Sequence, residues 1–150
     1  ISLQMHTNLS TYNPEYLDIL SKFRTVNLAM SIDSCVPEHF EYMRHKLNYD
    51  TCIQNAKLFI ELANNHPNIV LSVACSVSTL NVWDLDSILV NLKETIGLRI
   101  QFNFVTMPDV YYDIRHLPKP IKQELISKYE KISELTIVAN FLKQTIKLTH

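Results

Sequence analysis

The sequence predicts an α/β fold built on a parallel sheet. Three observations carry that prediction. Four short apolar runs, near residues 1–7, 25–31, 69–76 and 98–105, have the length of strands. Segments with helical spacing separate them. Small polar residues gather just after each run, at the carboxyl ends where α/β proteins bind ligands.

The first strand follows from the alternation of Ile1, Leu3 and Met5, and ends near Thr7 and Asn8. A chain that opens inside a strand, with no initiator methionine, is expected to continue something longer. Asn13-Pro14-Glu15 starts a helix, with a capping side chain, a proline in the first turn and an acid beside it. Tyr16, Leu20 and Phe23 lie on one face of that helix. The second strand, residues 25–31, is apolar nearly throughout, as expected when both faces are covered.

Residues 33–48 read as a long connection containing Pro37. A helix from about Asn48 to Asn64 turns Ile53, Ala56, Ile60 and Ala63 inward, and His66-Pro67 stops it. The third strand is rich in Val and Ile. Asn81 is placed to cap the next helix, whose face is Leu85, Ile88, Leu89, Leu92 and Ile96. Gly97, the only glycine, stands where a helix C-terminus needs one. After the fourth strand and a proline-marked loop, helices are expected over about 119–132 and 134–147. Four parallel strands fit either an open doubly wound sheet or part of a (β/α) barrel, and periodicity does not separate them.

Composition narrows the function classes. With 47% hydrophobic and 19% charged residues in 150, the chain can bury a core. A net charge of −1 gives no field for nucleic acid or an acidic membrane. No apolar run approaches the roughly 18 residues that span a bilayer. Cys35, Cys52 and Cys75 are widely spaced, form no C-x-x-C, and read as reduced thiols of a cytoplasmic protein. One glycine permits neither a P-loop nor a G-x-G-x-x-G turn, and the six histidines show no metal-binding spacing.

The strand ends carry the chemistry. The first supplies Thr7 and Asn8, the second Ser31 and Asp33, the third Ser76, Ser78, Thr79 and Asn81, and the fourth Asn103 and Thr106. These are neutral hydrogen-bonding groups with one carboxylate, suited to a nucleoside-like ligand. Helix caps and turns favour the same residue types. Arg44, in the connection after the second strand, can clamp a carboxylate or can be a surface charge.

The segments SIDS, FEYMRHKLNYDTCIQNAKLF, VSTLN, QFNFVTMP and LPKPIK, in that order and spacing, resemble radical S-adenosylmethionine enzymes, closest to those with SPASM or twitch extensions. The resemblance covers residues 1 to about 125. It implies a partial TIM barrel fragment of about four β/α units with C-terminal helices. Residues 1–132 would be the back portion of the barrel core, and 133–150 a C-terminal helix or the start of an extension.

Residue by residue, the resemblance implies that Ser31 bonds the ribose of S-adenosylmethionine and that Asp33 is its motif partner. It implies that Arg44 receives the methionyl carboxylate. Thr7 and Asn8 match a threonine-asparagine pair, Asn55 a helix asparagine, Asn81 an asparagine after the family's fifth strand, and Asn103 the neighbourhood of the adenine contacts. Tyr111, Tyr112 and Arg115 are candidates for a substrate wall. Two glycines of the family pattern are replaced, by Leu9 and by Ser34. The C-x-x-x-C-x-x-C segment that holds a 4Fe-4S cluster is absent, so its ligands are expected upstream of residue 1, and no metal ligand is expected within the chain.

The implied activity of the whole protein is reductive cleavage of S-adenosylmethionine to a 5′-deoxyadenosyl radical for hydrogen abstraction, with a peptide or protein as a possible substrate. The 150 residues alone would supply cofactor contacts and be inactive, needing the remainder of the barrel or a partner chain. The alternative is a non-catalytic nucleotide-binding or scaffold module.

Overall fold

A computed structural model describes residues 1–106 and 111–147. The proline-marked stretch Met107-Pro108 and residues 148–150 lie outside the described residues. Four strands, β1 (Ser2–Thr7), β2 (Thr25–Ser31), β3 (Ile69–Val77) and β4 (Ile100–Phe104), form one parallel sheet in the order β1-β2-β3-β4. The helices are α1 (Pro14–Leu20), α2 (Pro37–Met43), α3 (Tyr49–Asn65), α4 (Leu85–Thr95), α5 (Lys119–Tyr129) and α6 (Thr136–Lys147). The expected alternation of strands and helices, closed by two helices, is what forms. Among the described residues no helix is long and apolar enough to cross a membrane.

The sheet has two unlike faces. Cross-strand partners share a face, so Leu3, Val26 and Ile69 stand together, followed by Met5, Leu28 and Leu71, then Met30, Val73 and Ile100. That face joins Phe40, Phe59, Ile88, Leu92, Leu125, Val138 and Leu142 of the helices in one core. The other face carries Gln4, Asn27, Val70, Gln101 and Asn103, all exposed, with small Ala29, Ser31, Ser72 and Ala74 between them. The expectation that both faces of β2 are covered holds only in part, because Asn27 is exposed while Ala29 on the same face is buried. Asn27 breaks the apolar run on the uncovered side, while Val26, Leu28 and Met30 meet the core.

Local departures have plain causes. Residues 33–48 are not all connection, because Pro37 opens the short helix α2, where a missing N–H costs nothing. Phe40, fully buried, anchors α2 and meets Tyr49 edge-on at 5.5 Å. Asn48 caps α3 by accepting from the Thr51 N–H at 3.0 Å. Asn81 is not a cap: α4 begins at Leu85, with Asp84 at its N-cap position. Helix α1 ends at Leu20, so Phe23 lies beyond it and Tyr16 faces solvent. Gly97 adopts φ +71° and donates its N–H to the Leu92 carbonyl at 3.1 Å, a left-handed end for α4.

Leu9 adopts φ +64° and is fully buried. Leucine rarely adopts this left-handed conformation, which glycine takes without strain. Asn55 donates to the Leu9 carbonyl at 2.8 Å, and the Leu9 N–H donates to Thr7 Oγ1 at 3.1 Å, fixing the turn. Truncation here should invert the usual order of core substitutions. Leu9→Gly should be more stable than Leu9→Ala by about 1 kcal/mol, because only glycine relieves the backbone. Urea unfolding of the two variants measures the difference.

Candidate functional site

Asp33 stands at the centre of the rim. The chain leaves β2 at Ser31, and the Ile32 N–H still donates to the Ala74 carbonyl at 3.0 Å, so the strand direction persists two residues further. Asp33 is thereby carried against β3, where its Oδ1 accepts from the Ser76 N–H at 2.7 Å. Its Oδ2 meets Arg44 Nη2 at 2.7 Å. Helix α2 makes that meeting possible. Buried Phe40 fixes the helix, and Arg44 follows it as its C-cap, with its own N–H on the Phe40 carbonyl at 2.8 Å. Glu41 accepts from Asn48 Nδ2 and the Tyr49 N–H, tying α2 to α3.

The ion pair is mostly withdrawn from solvent, with side-chain exposures of 19% for Arg44 and 7% for Asp33. The Arg44 Nε is buried and has no hydrogen-bond partner among the described residues. A guanidinium N–H in that state is a donor awaiting an acceptor.

Asn81 is the keystone of the rim. Its Nδ2 donates to the carbonyls of Asp33 and Ser76, both at 2.9 Å, and its Oδ1 accepts from the Ser78 N–H at 2.9 Å. One buried carboxamide thus ties the end of β2 to the end of β3 and shapes the turn after β3. Its hydrogen-bonding groups are engaged within the protein, where they hold the rim in place.

A cavity of about 440 Å³ opens beside Asp33, and neither Arg44 nor Ser31 is among its lining residues. Asp33, Ser76 and Ser78 give it a polar side, while Met43, Leu80, Val105 and Tyr112 give it an apolar one. Thr79 fastens the far wall. Its N–H donates to the Tyr112 carbonyl at 3.1 Å and its hydroxyl to the Tyr111 carbonyl.

The remaining sequence candidates divide around this cavity. Ser31 sits on the uncovered face, beside Ala74, with no hydrogen-bond partner for its hydroxyl among the described residues. Asn103 is exposed on the same face, opposite Ser76. Thr7 and Asn8 belong elsewhere. Thr7 lines a separate cavity with Met5, Leu28 and Phe59, and the side chains of both residues hold their own turn. Tyr111 is exposed, and neither it nor Arg115 lines the cavity beside Asp33.

Arg115 instead grips Asp113, which is fully buried, through Nε at 2.7 Å and Nη2 at 2.5 Å. Burial would raise the Asp113 carboxyl, but the Arg115 side-chain and backbone bonds hold it below the usual carboxylate range. A carboxyl depressed in the folded state adds stability that is complete above its unfolded pKa and fades as pH falls through the folded value. Asp113→Asn should therefore flatten the loss of stability below about pH 4, as followed by thermal melts across an acid series.

Sequence reasoning missed the cavity's other lining. Met43, Leu80 and Val105 are apolar residues in loops or at element ends, without a spacing that marks a binding wall. The Ser76 contribution is a backbone N–H, which no residue type signals.

The thiols do not form a metal site. All three cysteines are free, and no group of three ligating side chains occurs among the described residues. Burial pushes the Cys75, Cys52 and Cys35 thiols above their ordinary range.

No family model matches the chain, and no curated protein matches it significantly. The functional reading therefore rests on the geometry of the rim and on the motif resemblance.

Proposed function

We propose that this chain is the back portion of a radical S-adenosylmethionine enzyme barrel and forms the wall that holds the cofactor. The observation that carries the reading is the meeting of Arg44 and Asp33 at the strand ends, with Asp33 lining a ligand-sized cavity and the Arg44 Nε without a partner among the described residues. A cation and a carboxylate side by side complement the carboxylate and ammonium of an α-amino acid. Ser31 offers a free hydroxyl to a ribose. Leu80, Val105 and Tyr112 offer an apolar wall to a purine.

The sheet supports the barrel form of this reading. Four parallel strands in sequential order, with one face packed on helices and the other carrying mainly small and polar side chains, resemble an arc of a barrel. The β1 edge is one that further β/α units would extend. Such units, on another segment or a partner chain, would carry the cluster ligands, since the sequence here has no C-x-x-x-C-x-x-C segment. When bound, the cluster supplies the electron that cleaves S-adenosylmethionine. The residues described here bind and orient the cofactor and withhold water from its charged end.

The same lack of cluster ligands favours a second reading, a non-catalytic nucleotide-binding module, with the same rim as its binding site. Calorimetric titration of the 150-residue chain separates the readings. Under the proposal, S-adenosylmethionine binds saturably, and 5′-methylthioadenosine, which lacks the amino-acid end, binds about tenfold or more weakly. Equal affinity for both would leave a nucleoside site without the amino-acid clamp, and would overturn the proposal.

A further inference from the structure

We propose that the open edge of β4 receives an extended segment of a partner polypeptide as an added strand. The backbone shows the vacancy directly. The Arg99 carbonyl accepts from the Val73 N–H at 2.9 Å, and the Val105 N–H donates to the Val77 carbonyl at 3.0 Å. Odd-numbered residues of β4 therefore face β3. The alternation of a parallel ladder turns the N–H and C=O groups of Ile100, Phe102 and Phe104 away from the sheet. None of these six groups has a partner among the described residues.

A groove runs along the same edge. A cavity of about 610 Å³ is lined by the consecutive residues Arg99, Ile100, Gln101 and Phe102. A run of successive residues of both parities can line one cavity only if the cavity follows the strand's edge. A second cavity, of about 330 Å³, continues it past Phe104. The two share Thr136 and Ile137 of α6 as a wall, and Ile137 is 51% exposed although it is a large apolar residue.

The chemistry of the groove identifies its occupant. Three residues with outward N–H and C=O groups ask for another main chain, and β-strand addition satisfies them. Ile137 offers apolar contact to alternate side chains of such a segment. Charge selects among segments. Lys93 is matched by Glu134, whereas Arg99 is exposed and has no carboxylate partner among the described residues. The preferred segment therefore alternates β-branched residues with acids. This inference does not rest on the cofactor reading, since the groove is separate from the Asp33 cavity.

The test uses the isotopically labelled 150-residue chain and two short capped peptides, one alternating valine with glutamate and the other valine with lysine. The acidic peptide should bind saturably and slow amide exchange at Ile100, Phe102 and Phe104. The lysine peptide should bind about tenfold more weakly. Arg99→Glu, an exposed change that leaves the circular dichroism intact, should reverse that preference, and Ile137→Ser should weaken both peptides. No protection with either peptide at millimolar concentration would overturn the proposal. So would an unchanged preference in Arg99→Glu. Protection that rises with protein concentration in the absence of peptide would assign the edge to a second copy, and would equally overturn it.

Discussion

Arg44→Ala should lower the unfolding free energy by about 3 kcal/mol, because it strips a mostly buried carboxylate of its cation. For a chain of this size that corresponds to roughly 6–12 °C in melting temperature. The loss arises on the Asp33 side. With Arg44 gone, the Asp33 side chain keeps only the Ser76 N–H, and its second oxygen faces a site that water reaches poorly. Asp33→Asn in the Arg44→Ala background should then recover part of the loss, since a neutral carboxamide still accepts from Ser76. A double-mutant cycle gives the coupling. Additive single effects would mean that the two charges are solvated independently and that the rim is not an ion-paired site.

Asn81→Ala should cost about as much, near 3 kcal/mol, for a different reason. Three backbone groups, the carbonyls of Asp33 and Ser76 and the N–H of Ser78, lose their partner at a position that is 2% exposed. The chemistry of the replacement gives a sharper check than the size of the loss. Asn81→Asp keeps the acceptor for Ser78 but points a carboxylate at two carbonyl oxygens. It should be less stable than Asn81→Ala, although it is the closer shape. Denaturant titration of both variants reads the order. If aspartate is the milder change, Asn81 is not the tie between β2 and β3. The apolar wall of the cavity should suffer with the rim, because Leu80 lies in the turn that Asn81 holds.

What was legible in the sequence follows from how local each cause is. The strands and the long helices were legible because apolar periodicity and caps act within a few residues: Asn48 caps α3, and Gly97 takes the left-handed turn that ends α4. Helix α2 was not, because a seven-residue helix around a single buried phenylalanine has no period to read. The role of Asn81 was misread for a related reason. An asparagine before a helix looks like a cap, and its true partners, Asp33 and Ser76, come from two different strand ends.

At the site, Asp33 and Arg44 were named from sequence and the structure joins them, whereas Thr7, Asn8 and Arg115 are engaged in their own turns and pairs. Leu9 shows the opposite case. Its positive φ is held by Asn55 from a distant helix, a partner that no local pattern announces.

The central claim is that the Arg44 guanidinium is the receptor for the carboxylate of S-adenosylmethionine. The most direct measurement follows the Arg44 side-chain Nε–H by heteronuclear magnetic resonance while S-adenosylmethionine, and separately its decarboxylated form, is added. The predicted result is a saturable shift of the Arg44 Nε–H signal with S-adenosylmethionine and none with the decarboxylated compound. An Nε–H signal that stays fixed at millimolar S-adenosylmethionine, or that moves equally with both compounds, would contradict the account.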